Sequence, residues 1–515
     1  MSNCIILSGG TWNPEDRCIV YRSLGPYRIS AALEDAGYTT FVLDYINKFT
    51  IEEILEVLKQ HVGEDTLWVG FSSTFFWQQN RPNQSFNDRV IDSRGNNNVE
   101  DMYYTGEYSE VEQIFNFVRN NSKAKLIFGG ARTPWFIKDH NIDYYVLGYA
   151  DNSTVELTNY IAGKPTNQNL VEHLSKPQTS LYDRVIDSTK FPEPDVKNIP
   201  TRWWKHKILP NEALPIELGR GCIFKCKFCS YALTGKKKGT YVRDLQQVRD
   251  ELIQTWETHG TDTYSFTDDT FNDDNEKLEI LHNLFTSLPF KPKFSCYLRI
   301  DLINKFPHQA DLLTEMGLIG NFFGLETMHP ESAKAIGKGL HPNKVKDRLY
   351  WLRDKWKNKV NMEAGFILGL PYDTLPYFNE LLMWTIEEDN PLQSILFYPL
   401  MMFNYGKEDP IAKYGSEFSM NPEIYGYEFD KTYAYDWDLK SQKLNYRMCL
   451  DIANKFMDLR KPMNNISGFY IPAALSTGVV LEDIYSLTEE QIINKYDIPS
   501  MNRQKMSEYK QLVGL

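Results

Sequence analysis

Three cysteines, Cys222, Cys226 and Cys229, sit in the run ELGRGCIFKCKFCSYALTG with C-x₃-C-x₂-C spacing. Soft thiolates this close on one tight loop can each ligate one iron of a cubane cluster and leave the fourth iron open. An open iron lets a cluster bind and activate a small molecule instead of only carrying an electron. A structural zinc site wants four ligands, usually in two paired spacings. No second Cys or His pair stands near, and His206 is isolated. A ferredoxin-type carrier wants a fourth cysteine, and Cys296 could serve only if the fold brought it close.

The chain around this loop has 515 residues, long enough for two or three domains. Its hydrophobic share of 42% and charged share of 24% are ordinary for a globular protein. The formal charge of -12 makes nucleic acid a poor default partner. Lys236, Lys237 and Lys238 form a short basic run, either a solvated loop or cations at the mouth of a site for an anion. The seven cysteines are an odd number, which argues against a disulfide framework, and Cys4, Cys18, Cys296 and Cys449 read as dispersed buried thiols. No run approaches the roughly twenty apolar residues of a membrane span. The start, MSNCIILSGG, lacks the basic and apolar regions of a signal peptide, so a cytoplasmic location is expected.

The elements that must position the cysteines can be read from periodicity. Over residues 1–165, short apolar runs (CIILSG, TTFVLD, TLWVGFS, AKLIFGG, DYYVLGY) alternate with amphipathic segments. That pattern predicts a five-stranded, flavodoxin-like doubly wound α/β domain. A long polar stretch, residues 74–106, leaves its third strand and reads as either a surface insertion or a lid. In it, Phe75, Phe76 and Trp77 suit a core or a pocket. Residues 166–205 look like a linker. Across residues 206–402, six strand–helix units follow one another, two fewer than a closed βα barrel needs, so a partial (βα)₆ barrel is expected. Residues 403–515 read as a mainly helical tail.

With the cysteine loop directly after the strand LPIELG, the sequence resembles the radical S-adenosylmethionine superfamily. In that family the open iron chelates the cofactor's methionine moiety, and reductive cleavage yields a 5′-deoxyadenosyl radical that takes a substrate hydrogen. The resemblance implies a 4Fe–4S cluster on Cys222, Cys226 and Cys229, S-adenosylmethionine (SAM) as cofactor, and an external one-electron reductant such as a flavodoxin or ferredoxin. It gives Phe228 the aromatic position of the motif. The acidic SFTDDTFN stands where the family often has Gly-Gly-Glu, so Asp268 or Asp269 could take the methionine ammonium, with helix capping as the alternative. Arg299 stands where a residue often pairs with the cofactor carboxylate, the alternative being a surface ion pair. Glu326 ends the fourth strand (FFGLE). GFILGLP, with Gly369 and Pro371, resembles the stretch that lines the adenine.

The domain before this core resembles the cobalamin-binding subgroup of the family. There Gly129, Gly130 and Gly148 would lie beside the cofactor, although glycines at strand ends also serve plain βα turns. The D-x-H-x-x-G motif of many such domains is absent: the loop after strand one is SGGTWNPEDRCIVYR, and His61 and His140 lie elsewhere. If cobalamin binds, methyl transfer to an unactivated carbon of a small molecule or peptide is implied; without it, a rearrangement, cyclisation or oxidation. Methylthio-transferring enzymes use three more cluster cysteines in the N-terminal domain, where only Cys4 and Cys18 are available, and auxiliary-cluster enzymes carry a cysteine-rich tail, where only Cys449 stands.

Overall fold

A computed structural model describes residues 3–10, 20–73, 108–130, 141–177, 179–192, 196, 200–231, 233–357, 359–402, 404, 415–429 and 436–515. The insertion at 74–106, with its aromatic trio, Cys18 and His140 lie outside the described residues. The chain forms two compact units: Met1–Pro215 with Asp250–Gly260 and Ile498–Leu515, and Ile216–Arg249 with Thr261–Asp497.

The first unit is built on a parallel sheet of β1 (Cys4–Leu7), β2 (Thr40–Leu43), β3 (Trp68–Ser72), β4 (Lys125–Gly129), β5 (Tyr144–Leu147) and β6 (Val185–Asp187). Their order is β2-β1-β3-β4-β5-β6, a flavodoxin-like arrangement extended by one strand. The strands are continuous apolar runs because helices cover both faces, as in β1, where all four residues are buried. The helix Ile51–His61 shows the local logic. Thr50 and Glu53 close a capping box, and Ile51, Ile54, Val57 and Leu58 form the buried stripe. The expected count of five strands is one short. The segment read as a linker supplies β6, which pairs with β5 in parallel. It also supplies the helix Gln168–Ser175, capped by the Asn167 side chain. Three residues are too few to show a period.

The second unit holds β7 (Leu214–Ile216, entering it at Ile216), β8 (Thr263–Phe266), β9 (Lys293–Leu298), β10 (Leu318–Glu326), β11 (Asn361–Leu368) and β12 (Ser394–Pro399). They lie in strictly sequential order. The ladders from β8 to β12 are parallel, so the carboxyl ends of these strands share one rim. This is the six-stranded open barrel expected. In register, Tyr297 of β9, Phe322 of β10 and Glu363 of β11 stand side by side on one face.

The tail is helical over Tyr446–Arg460, Ile471–Ser476, Leu481–Ser486, Glu489–Tyr496 and Ile498–Leu512. It also carries a small antiparallel sheet that the sequence reading missed, of β13 (Tyr427–Phe429), β14 (Trp437–Leu439) and β15 (Leu444–Asn445). Among the described residues no helix is long and apolar enough to cross a membrane.

Candidate functional site

β7 ends at Ile216, and the chain turns at once into the cysteine loop. The loop is pinned by its own backbone: Cys222 N–H donates to Leu233 O at 3.0 Å, Lys236 N–H to Cys222 O at 3.0 Å and Cys229 N–H to Cys226 O at 3.0 Å. Cys222 is buried, whereas Cys226 and Cys229 are half-buried. All three are free thiols.

Each sulfur faces a donor. Cys222 Sγ lies 3.6 Å from the Thr270 hydroxyl and also accepts from the Phe224 N–H. Cys229 Sγ accepts from Tyr231 N–H at 3.4 Å. Cys226 Sγ accepts from Arg299 Nη1 at 3.6 Å. Donors aimed at cysteine sulfur tune an iron–sulfur centre and favour the thiolate. Burial raises the Cys222 thiol and lifts Cys229 to about 11, with the neighbouring cysteines and Asp269 adding to both. Bringing three thiolates together without a cation is therefore costly, and a cationic cluster removes that cost. Among the described residues no three His, Cys, Asp or Glu side chains converge as a site for one metal ion. Cubane irons are spread apart, so each thiolate needs its own iron rather than a shared point. The donor set on this loop fits a three-cysteine cluster.

The two aspartates separate. Asp268 is buried, and its carboxylate accepts from Leu218 N–H at 2.9 Å, tying β8's exit to the backbone that leads into the cysteine loop. Burial lifts its pKa to about 7, against the pull of Lys277 and that N–H. Asp269 has an exposed side chain, hydrogen-bonds Tyr231, and acts electrostatically on Cys222 and Cys229. Although Asp269 keeps accessible surface, the protein packed around it pushes its pKa up to about 6. Of the pair, Asp269 is the one that faces the cysteines.

Arg299 is 7% exposed, so the surface ion pair offered as its alternative does not describe it. Its Nε and Nη2 hold Asp301 at 3.0 and 2.8 Å, and its guanidinium lies over the Phe224 ring at 3.7 Å. Asn272 clamps its backbone on both sides, accepting from Arg299 N–H at 2.9 Å and donating to Arg299 O at 3.1 Å. A planar cation fixed this way beside a cysteine is pre-organised for a carboxylate.

Glu326 closes β10 at a bulge with φ +67, a conformation a non-glycine residue adopts only under constraint. Its carboxylate is 3.7 Å from Lys338 Nζ, which also donates to Gly324 O at 2.7 Å. Burial raises Glu326, with Lys338 and Arg299 opposing. Gly369, at φ +94, needs to be glycine for a reason the sequence did not show: a Cβ there would lie 2.3 Å from the Trp437 ring and 3.0 Å from Cys449 Sγ. The close approach on this side comes from β14 and the tail. Asp373 holds the exit turn, accepting from Gly369 N–H and Leu370 N–H at 3.0 Å each, and Pro371 O accepts from Ser332. Phe228 is half-buried in the loop.

Five aromatics and a carboxylate were missed by the sequence reading. Tyr297 packs on Phe322 (5.5 Å between centroids) and on Phe469 (4.9 Å), and Phe469 packs on Tyr470 (5.6 Å). Tyr398 and Tyr470 stay exposed, at 39% and 37%. Glu363, fully buried, interacts electrostatically with Tyr297 and Tyr398, accepts from Ser467 Oγ at 2.6 Å, and leaves Oε1 without a partner. Burial lifts its pKa to about 7, against hydrogen bonds from Ser467 and from the Phe469 and Gly468 backbone. Together they form an aromatic floor inside the barrel with a protonatable group in it. Only the even spacing of Tyr297 from the strand's other inward residues could have signalled it.

In the first unit, Gly129 ends β4, and Gly130 (φ +114) and Gly148 (φ +82) make the turns after β4 and β5. Among the described residues, a Cβ at Gly129, on this carboxyl edge, would meet only Val146, at 3.9 Å, an ordinary contact. His61 does not belong to that edge. It ends the helix that leads back to the amino end of β3, and it stacks on Phe41 at 3.5 Å. His206 is half-buried in the same unit, and desolvation of its ring lowers its pKa to about 4.

Residues 216–385 match the family model described as the Radical SAM superfamily. A stretch of 157 residues is 27% identical to an uncharacterized methyltransferase of Pyrococcus horikoshii, covering 30% of this chain and 32% of that protein. A stretch of 252 residues is 24% identical to the bacteriochlorophyllide d C-8(2)-methyltransferase of Chlorobaculum tepidum, covering 47% and 52%. The chain thus spans about half or less of the length of these curated relatives. Among solved structures, the radical S-adenosylmethionine methyltransferase TsrM from Kitasatospora setae superposes with a TM-score of 0.60 at 16% identity, covering 97% of this chain and 100% of that one. The cobalamin-dependent radical enzyme OxsB superposes with a TM-score of 0.52 at 14% identity, covering 82% and 56%. The fold is therefore the one that TsrM and OxsB share, and the stretch at residues 216–385 is similar to the Radical SAM superfamily.

Proposed function

We propose that this chain is a radical SAM enzyme that transfers a methyl group, with cobalamin as second cofactor, to a ring carbon of an aromatic small molecule or peptide side chain. The observation that carries the reading is the meeting of Cys222, Cys226 and Cys229 with Arg299 and Asp269 at one rim of parallel strands. When bound, the cluster and SAM supply one-electron bond cleavage, and cobalamin supplies a methyl carrier.

The chain's own residues have distinct tasks. The three cysteines would hold three irons of the cluster and leave one open. Asp269 would offer a carboxylate to the methionine ammonium and Arg299 a guanidinium to its carboxylate, with Glu326 at the same rim. Phe228, Gly369 and Pro371 would border the adenine. Gly129, Gly130 and Gly148 would give cobalamin a backbone edge to lie against. The floor of Tyr297, Phe322, Tyr398, Phe469 and Tyr470 suits a flat ring, and Glu363 can donate a hydrogen bond when protonated or take a proton when ionised near neutral pH. TsrM, whose fold this chain shares, has been solved with a tryptophan substrate, which supports an aromatic acceptor. A reducing cytoplasm suits three free thiols, and a flavodoxin or ferredoxin is the electron source proposed.

The test is anaerobic reconstitution with iron and sulfide, then hydroxocobalamin titration followed by absorbance. A saturable spectral change at one cobalamin per chain and methylation of aromatic acceptors support the reading. Cleavage of SAM without any cobalamin binding moves the chain to the oxidation or rearrangement branch.

A further inference from the structure

The tail holds the backbone at two places next to the residues proposed to border the adenine. The first is Lys227, between Cys226 and Phe228. Its N–H donates to Ile336 O at 3.3 Å, and its carbonyl accepts from Phe418 N–H of the tail at 3.2 Å. The Lys227 ammonium turns to the same stretch, 5.0 Å from the centre of the Tyr425 ring and 3.9 Å from Glu417. The second is Gly369, whose carbonyl accepts from the Tyr427 hydroxyl at 2.7 Å. Asp373 already holds the Gly369 N–H, so both backbone polar groups of this glycine are tied.

The two holds belong to one packed chain of rings. Phe418 lies on Tyr425 and Tyr427, with centroids 4.5 and 5.8 Å apart, and Tyr427 meets Trp437 at 5.2 Å. Trp437 stands against Gly369 and donates from Nε1 to Leu400 O at 2.9 Å. Phe418, Tyr427 and Trp437 are each no more than 1% exposed. Close-packed rings pass a displacement on instead of absorbing it. Lys227, Pro371, Tyr372 and Tyr425 also line one cavity of about 520 Å³, where cysteine loop, turn and tail meet. Packing alone would be met by phenylalanine at 427, so what the hydroxyl adds is the hold on Gly369.

We infer that Tyr427 is a positioning residue for SAM: it fixes the Gly369 turn relative to the Lys227–Phe228 backbone, the two walls of the adenine slot. The inference rests on the SAM reading of the previous section. Tyr427 acts through the Gly369 backbone, so its effect falls on the adenosyl half of the cofactor. The groups assigned to the methionine half do not depend on it: Arg299 is held by Asp301 and Asn272, and Asp269 by Tyr231, all outside the tail.

The experiment compares the full-length reconstituted protein with Tyr427→Phe, which removes one hydroxyl and keeps the ring. Calorimetry measures the affinity of each for 5′-deoxyadenosine and, separately, for methionine. Hydrogen exchange read by mass spectrometry follows the backbone amides of the turn at 369–373. The expected result is about a fivefold loss of affinity for 5′-deoxyadenosine, methionine affinity within about twofold of wild type, and faster exchange in the turn. Unchanged 5′-deoxyadenosine affinity overturns the proposal, as does an equal loss for both halves of SAM, which marks a general loosening. Phe418→Leu checks the link to the cysteine loop: faster exchange at both 226–228 and 369–373 supports it, and a change confined to 226–228 contradicts it. If the wild type binds neither half of SAM, the functional reading falls, while the exchange result still decides whether Tyr427 holds the turn.

Discussion

At the scale of single residues, the two neighbouring aspartates make opposite demands. Asp268 satisfies a buried backbone N–H, so Asp268→Ala strands that donor and is expected to cost about 1–3 kcal/mol of stability. Asp269 faces the cysteines from an exposed position, so Asp269→Asn should leave the thermal midpoint of the apo-protein unchanged and raise the KM for SAM. Calorimetry and SAM-dependent kinetics on the two variants separate the roles. Which aspartate faces the site was not legible in SFTDDTFN, because strand alternation places the two on opposite sides only once the end of β8 is known. The cysteine loop was legible because all its ligands are local in sequence. Glu363, Tyr398 and Tyr470 were not, since they meet only through the register of β11 and β12 and a tail segment far along the chain.

At the scale of elements, the exit of β11 is a turn held by one carboxylate. Asp373 is fully buried and burial lifts its pKa to about 7, against its bonds to Ser332, Leu370 and Gly369. The folded-state pKa lies above the unfolded value, so its contribution to stability is complete below pH about 4 and is lost as pH rises through about 7. Raising the pH from about 5 to about 8 should therefore lower the thermal midpoint of the wild type, and Asp373→Asn should shrink that drop, read by scanning calorimetry in a pH series. Gly369→Ala places a methyl against Trp437 and strains a positive φ, with an expected cost of about 1–3 kcal/mol. The GFILGLP stretch was recognisable as a turn after a strand. That β14 presses on it was hidden, because three-residue strands leave no periodic trace.

At the scale of the molecule, the chain's two ends belong to the same compact unit. A buried cluster ties them: Arg22 pairs with Glu212 through bonds of 2.9 and 2.7 Å and stacks on Tyr27, Tyr45 and Tyr509, while Lys505 lies 3.4 Å from Glu212. Burial alone would raise Glu212, but Arg22 and Lys505 outweigh it and hold the carboxylate at about 2. Glu212→Ala removes the bidentate partner of buried Arg22 and leaves it only the longer pair with Asp44 at 3.8 Å, so it should cost about 3–5 kcal/mol, measured by urea unfolding of the first unit's signal. The doubly wound and barrel layers were legible from strand–helix alternation, which repeats locally. The return of Ile498–Leu512 to the first unit was not, because nothing in a helix pattern says what it packs against.

The central claim is a cubane cluster on Cys222, Cys226 and Cys229 with one iron left for SAM. Electron paramagnetic resonance of the reduced, reconstituted protein with and without SAM tests it most directly. The expected result is about four irons per chain and a signal that shifts on adding SAM, both lost when any one of the three cysteines is replaced by alanine. A signal indifferent to SAM, or full iron content retained in a Cys→Ala variant, would contradict it.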